Sequence, residues 1–277
     1  MGRPSVMSEE IDAEGVEKAR ALLSGAEAVL VLTGAGISAD SGLATFRGAD
    51  GLWRSYRAQE LATPDAFAED PRLVWEWYGV RREAAAACEP NAAHLALARM
   101  AAERDGITIV TQNVDGLHTR AADQVAAERS MSGGGQIGRI DEDTGAMLPL
   151  ELHGCLFRVR CPQCSERYGH REPINASSVA TLPTCRSCSS MLRPDIVWFG
   201  EPLGETIEIA FSMAQATDVC LVVGTSAVVQ PAASIATVVR QTGGIIVEIN
   251  PERTPLTSLA AVSLRGRAAE VVPSVVS

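Results

Sequence analysis

Residues 28–42, AVLVLTGAGISADSG, hold an unbroken apolar run that stops at Thr33 and passes straight into glycines. Such a run suits a buried parallel strand, Ala28 to Thr33, entering a tight turn. Gly34 to Ala39, GAGISA, fits G-x-G-x-x-A, the pattern that marks a dinucleotide fingerprint when it follows a strand. Gly34 then serves the turn, and Gly36 lets the backbone approach a pyrophosphate at a helix N-terminus. The ribose-binding acid expected ~20 residues later is not evident in ATFRGADGLW, so a bound dinucleotide needs its ribose held by other groups.

Those groups stand at the ends of three further apolar runs. GITIVTQNVDGLH, residues 106–118, runs through β-branched Ile107 to Val110 into Thr111, Gln112, Asn113, Asp115 and His118. VVGTSAVVQP brings Gly224, Thr225 and Ser226 after a strand, and VEINPE brings Asn250 and Glu252 after another. Open α/β sheets bind ligands at the carboxyl ends of their strands. Any one of these runs is ordinary, but together they describe a sheet edge facing an extended polar ligand. Helical patterns at about Ala13–Ser24, Pro71–Cys88 and Asn91–Glu103 alternate with the strands, and the sequence from Ala122 to Pro149 has loop composition. The expected architecture is α/β, a parallel sheet domain interrupted by a small insert.

The chain has 277 residues, 46% of them hydrophobic, and a formal charge of −10. That suffices for a main domain with a smaller attachment. The acidic balance argues against nucleic acid or an anionic membrane as the partner and is compatible with lysine-bearing peptides. No apolar run reaches a membrane span, and the start lacks a signal or transit pattern, so a soluble cytoplasmic protein is expected. A monomer is the expected oligomeric state, with nothing in the sequence to fix it.

Four of the seven cysteines form CPQC (Cys161, Cys164) and CRSC (Cys185, Cys188), separated by 20 residues. Two C-x2-C pairs at this spacing match a closed tetrahedral zinc site, which folds the insert and does no chemistry. Cys88, Cys155 and Cys220 lie in apolar surroundings and read as core. Composition alone does not choose a base among His94, His118, His153 and His170. In the helix PRLVWEWYGVRREAAAAC, a 100° periodicity gathers Leu73, Val74, Trp77, Tyr78, Ala84, Ala85 and Cys88 on one stripe, with Arg81 near its middle. Glu76, Gly79, Arg82 and Glu83 fall opposite. A desolvated guanidinium needs an anionic partner. For Arg81 that is either an internal carboxylate or one arriving with a substrate, with the Tyr78 hydroxyl as second donor.

GAGISADSGLATFRG, TQNVDGLH, ELHG, CPQC…CRSC, RPDIVWFGE, GTS and EIN stand in the order seen in the sirtuins, which the chain resembles from about Ala28 to Val272. Sirtuins are NAD-dependent protein-lysine deacylases. The resemblance implies a Rossmann-like NAD-binding domain (11–45, 90–155 and 194–277), a helical segment at 46–89, a zinc ribbon at 156–193 and one structural Zn2+. Residues 123–148 are expected to form a flexible insertion; the 35 positions from His118 to His153 exceed what the family needs here, and Ala122-Asp123 replaces its Ala-Gly.

By the same resemblance, Gly34, Ala35, Gly36, Ile37, Ser38, Thr45, Phe46, Arg47 and Trp53 border the cofactor's phosphates and ribose. Gln112, Asn113, Val114 and Asp115 surround the nicotinamide and its ribose. Gly224, Thr225, Ser226, Asn250, Pro251 and Glu252 hold the adenosine half, and Ala268 lines the adenine. His153 matches the general base, with a pKa near neutrality. VWFGE (Val197, Trp198, Phe199, Gly200, Glu201) matches the segment that pairs with the substrate peptide by adding a strand.

The implied chemistry releases nicotinamide and gives free lysine and O-acyl-ADP-ribose, with His153 taking a ribose proton. Tyr78 and Arg81 as Y-x-x-R, Ala62, and Thr45 in ATFR resemble the subgroup that accepts succinyl, malonyl or glutaryl groups, with acetyl as a further substrate. Two alternatives stand beside this reading. One is ADP-ribosyl transfer or NAD hydrolysis on the same fold; the other is a binding module built around the ribbon.

Overall fold

A computed structural model describes residues 12–43, 52–53, 56–131 and 149–277. The chain starts with α1 (Ala13–Gly25), capped by the Asp12 carboxylate on the Gly15 amide, and continues into β1 (Val29–Thr33). A 3-10 helix, Ala35–Ser41, follows directly. The small strands β2 (Leu52–Trp53) and β3 (Tyr56–Arg57) lead into α2 (Ala58–Leu61), α3 (Pro64–Glu69) and α4 (Pro71–Ala87). Then come α5 (Ala92–Glu103), β4 (Ile107–Thr111) and α6 (Leu117–Met131). The sequence 122–131, read above as irregular, is therefore helical; the rest of the expected insertion lies outside the described residues.

Beyond it run β5 (Leu150–Glu151), β6 (Gly154–Arg160), β7 (Arg167–Gly169) and β8 (Arg193–Ile196). The last stretch is α7 (Glu205–Gln215), β9 (Val219–Val223), α8 (Ser234–Gln241), β10 (Ile245–Ile249), β11 (Val262–Leu264) and α9 (Ala268–Val276). The main sheet has six strands in the order β11-β10-β9-β1-β4-β5, all parallel. Its order reverses at β1, with β4 on one side and β9 on the other, the place where doubly wound sheets open a ligand crevice.

The central strands are covered on both faces, which explains their continuous apolar runs. Val29 and Val31 join the core under α1, α5 and α9, while Leu30 and Leu32 join the one under α7 and α8. A second, antiparallel sheet, β7-β6-β8, belongs to the insert and packs against α4 through Val74, Trp75, Trp77, Leu156, Val159 and Leu192. Since β8 pairs with β6, residues 193–196 belong to the insert's sheet, slightly beyond the boundary expected from sequence.

Arg82 corrects the helical reading of α4. It is 5% exposed, not on a solvent face, and its guanidinium donates to the carbonyls of Leu156, His170 and Glu172. Ala84, expected in the apolar stripe, is exposed. The helix is covered on two sides, so it has no single polar face for periodicity to reveal.

Candidate functional site

The parallel register brings Gly34, Gln112, Gly224 and Asn250 to one edge. At the switch point two glycine turns interlock. Gly36 donates to the Gly224 carbonyl (2.7 Å), and a Cβ on Gly36 would lie 2.7 Å from that oxygen. Gly224 has φ +60°, and a Cβ there would lie 2.4 Å from the Ile37 nitrogen. Gly36 is therefore required by turn-on-turn packing, whether or not a pyrophosphate approaches it.

Beside this turn a polar cluster forms. Asp115 accepts from the Ser38 hydroxyl (2.8 Å) and the Leu117 amide (2.9 Å), and Asn113 donates to Ser38 (3.1 Å). Burial raises the Asp115 carboxyl above its ordinary range, while these donors and the Arg81 charge pull it back down. Below Ser38 lies a pair of histidines that the resemblance leaves in structural roles. His94 meets Ser38 at 3.4 Å and stacks edge-on to His118 with centroids 4.8 Å apart, and His118 meets the Thr33 hydroxyl at 2.9 Å. Burial lowers both imidazoles, His94 to about 4, so the pair is neutral. His94 had one local signal: with Asn91 it forms the cap of α5.

Gln112 connects the strand ends. Its side chain donates to Thr225 Oγ1 (3.0 Å), and Asn250 Nδ2 donates to the Thr225 carbonyl (3.1 Å). The Gln112 carbonyl faces His153 Nδ1 at 2.9 Å. A carbonyl only accepts, so Nδ1 carries the proton and Nε2 keeps its lone pair. His153 occupies the turn between β5 of the main sheet and β6 of the insert, and its own carbonyl accepts from the Val197 amide (3.0 Å). Burial, the larger influence, lowers its pKa from the ordinary imidazole value, and the hydrogen bond to the Gln112 carbonyl acts in the opposite direction.

The segment 197–201 is anchored rather than free. The Phe199 amide donates to the Ala62 carbonyl (2.9 Å), and Glu201 accepts from Arg193, Arg160 and the Trp198 amide. Trp198 is 2% exposed and stacks under the Arg193 guanidinium, so Trp198 and Glu201 hold the segment, leaving Phe199 and Gly200 exposed and Val197 half-buried. Ala268, expected at the adenine, packs into the apolar core, while Pro251 and Glu252 are exposed. Thr45, Phe46 and Arg47 lie outside the described residues, and Trp53 falls in β2.

Arg81 lies over the faces of Trp77 (4.8 Å) and Tyr78 (5.9 Å). Burial lowers its pKa, against which Tyr78 and then Asp115 favour its charge. Asp115 is thus the internal carboxylate whose charge Arg81 faces. The Tyr78 hydroxyl accepts from Trp198 Nε1 (2.8 Å), and burial pushes its pKa up to about 12, so it keeps its own proton to donate.

The cysteines form twin knuckles. Cys161 N donates to Glu166 O and Cys185 N to Ser190 O, and Ser165 and Ser189 take φ +63° and +60°. The sulfurs lie within 4.8 Å of one another, with close pairs at 3.4, 3.5 and 3.7 Å. A tetrahedron with Zn–S bonds of about 2.3 Å has edges of about 3.8 Å, so the donor set fits one structural zinc. Of the other cysteines, Cys155 and Cys220 are buried as expected and Cys88 is only half-buried.

Residues 34–133 and 134–231 match the Sir2 family. An NAD-dependent protein deacylase of Thermococcus kodakarensis is 46% identical over 258 residues, 91% of this chain and 91% of its own length. A Sir2 homologue solved as its NAD complex is 43% identical with a TM-score of 0.78, covering 94% of this chain and 92% of that one. Sir2Af2 bound to a myristoylated histone peptide is 31% identical with a TM-score of 0.68, and 95% of each chain is covered.

Proposed function

The chain belongs to the Sir2 family, and from that premise we propose that it removes acyl groups from protein lysines, transferring them to the ADP-ribose of NAD. The observation that carries this is the contact of His153 Nδ1 with the Gln112 carbonyl at the sheet edge, which leaves Nε2 to act as the base, while the His153 carbonyl accepts from the Val197 amide. When bound, NAD would supply an activated ribose carbon and a nicotinamide leaving group. His153 takes the ribose hydroxyl proton onto Nε2, and the Gln112 carbonyl steadies the imidazolium that results. Ser38, Asn113 and Asp115 hold the ribose, and Gly224, Thr225 and Asn250 the adenosine half. The ADP-ribosyltransferase or hydrolase alternative has no observation in its favour. Its signature would be nicotinamide release without an acylated peptide.

The finer reading is a preference for acidic acyl groups, succinyl or malonyl, over acetyl. It rests on Arg81 and Tyr78, a desolvated cation and a protonated hydroxyl on one helix turn, with the small, buried Ala62 in the same apolar cluster as Tyr78. A carboxylate entering there would meet two donors. Arg81 already faces the Asp115 charge, so the test must separate the two roles. In a panel of otherwise identical peptides with and without NAD, Arg81→Met should lower kcat/KM for succinyl-lysine by about 10- to 100-fold, the size of one lost charge-assisted hydrogen bond. Acetyl-lysine turnover should change far less. An equal loss on both substrates would mean that Arg81 serves Asp115 alone, and would sink the acidic preference without touching deacylation.

No helix among the described residues is long and apolar enough to cross a membrane.

A further inference from the structure

Glu248 sits inside β10 with no exposed surface. Its strand neighbours Ile246 and Ile249 belong to the two apolar cores on either side of the sheet, so an apolar residue would fit this strand. Burying a carboxylate is costly, and a buried ion pair by itself is weak evidence for stability. Here the charge is fully met: Glu248 accepts from the hydroxyls of Thr254, Thr257 (2.7 Å) and Ser263 (2.6 Å) and from the Arg265 guanidinium (3.0 Å). These donors hold its carboxyl below the ordinary range in spite of burial.

The partners of this pair are not scattered. Thr254 and Thr257 belong to the loop that follows β10, and Arg265 uses its other terminal nitrogen on the same loop, donating to the carbonyls of Asn250 (3.1 Å) and Glu252 (2.5 Å). The loop from Asn250 to Thr257 is therefore gripped at both ends, its carbonyls by Arg265 and its hydroxyls by Glu248. The contacts run on across the sheet edge. Asn250 donates to the Thr225 carbonyl, Gln112 to the Thr225 hydroxyl, and the Gln112 carbonyl fixes His153. Glu248 opens the motif EIN, but the sequence assigned a role only to Asn250 there and none to Glu248 or Arg265.

We infer that Glu248 and Arg265 are positioning residues for NAD, an ion pair that sets the adenosine loop 250–257 before the dinucleotide arrives. This rests on the reading of the strand ends as the NAD site. Only a guanidinium can bridge a carboxylate and two carbonyls in this way, because its donors form a rigid fork. Loss of the clamp therefore acts through pre-organisation, on affinity at the adenosine end more than on the chemical step.

The test is calorimetric titration of the full chain with ADP-ribose, which needs no turnover, for wild type, Glu248→Gln and Arg265→Lys. Leu23→Ala, in the core under α1 and away from the loop, is the control for a merely destabilised chain. Both loop variants should weaken ADP-ribose binding by about tenfold, and raise KM for NAD in step while KM for the peptide stays put. The control should lose Tm with an unchanged Kd. Should Glu248→Gln not fold, Thr257→Val, which removes a hydroxyl that donates to Glu248 and accepts from Arg265 and the Thr254 amide, carries the same comparison. Variants that bind like wild type, or a control whose Kd weakens alongside theirs, would overturn the inference. A wild type that does not bind ADP-ribose would overturn the proposed function as well.

Discussion

His153→Ala should slow deacylation by roughly 10²- to 10⁴-fold, the span associated with loss of a positioned general base, and should leave ADP-ribose affinity nearly intact. Nδ1–H donates to the Gln112 carbonyl at 2.9 Å, which leaves Nε2 as the nitrogen that faces the ribose. The pH dependence follows with a definite sign. Only the neutral imidazole can act as base, and burial lowers its pKa. Thus kcat/KM should rise with pH through a value below the usual imidazole figure of about 6.5 and stay flat above it. Burial raises the Asp115 carboxyl as well, while its Ser38 and Leu117 donors pull it back down. An acid limb centred above neutrality, or a His153→Ala variant of undiminished rate, would remove the base assignment.

The second large effect concerns zinc. Cys185→Ser, or prolonged chelation, should unfold the ribbon while sparing the parallel sheet. Apparent zinc affinities of structural sites run to about 10–16 kcal/mol, as large as the roughly 5–15 kcal/mol that holds a whole domain together. A small insert has no comparable core to fall back on. Its apolar residues form one cluster with α4, and the knuckles close only when the sulfurs gather. Because β6 and β8 flank His153 and Val197, the unfolded ribbon should cost activity too, although no cysteine touches the reacting groups. Metal analysis should find one zinc per chain, and limited proteolysis of the chelated protein should cut between residues 161 and 191. A chelated chain that resists cleavage there and keeps its rate would contradict the structural role.

Much of this was legible in the sequence, for identifiable reasons. Parallel strands buried on both faces leave continuous apolar runs, so β1, β4, β9 and β10 and their polar ends could be read directly, as could cysteine pairs whose spacing is itself the geometry. Arg82 was not legible, because the carbonyls that bury it come from the insert, far along the chain. Nor were the contacts of Ser38 with His94 and His118 with Thr33, each of which joins separate elements through a single atom pair. Glu201 and Trp198 were read as facing substrate. They instead bind Arg193 and Tyr78, a distinction that depends on which way a loop turns. The helical run 122–131 was hidden by its weak amphipathicity and by the loop-like composition that follows it.

The most direct measurement of the central claim is a crystal structure of this chain soaked with ADP-ribose. The diphosphate should lie against the Gly34–Ser38 turn, the adenosine along Thr225 and Asn250, and a hydroxyl of the distal ribose within about 2.6–3.2 Å of His153 Nε2. A sheet edge left empty at saturating ligand, or a ribose lying out of reach of that nitrogen, would contradict it.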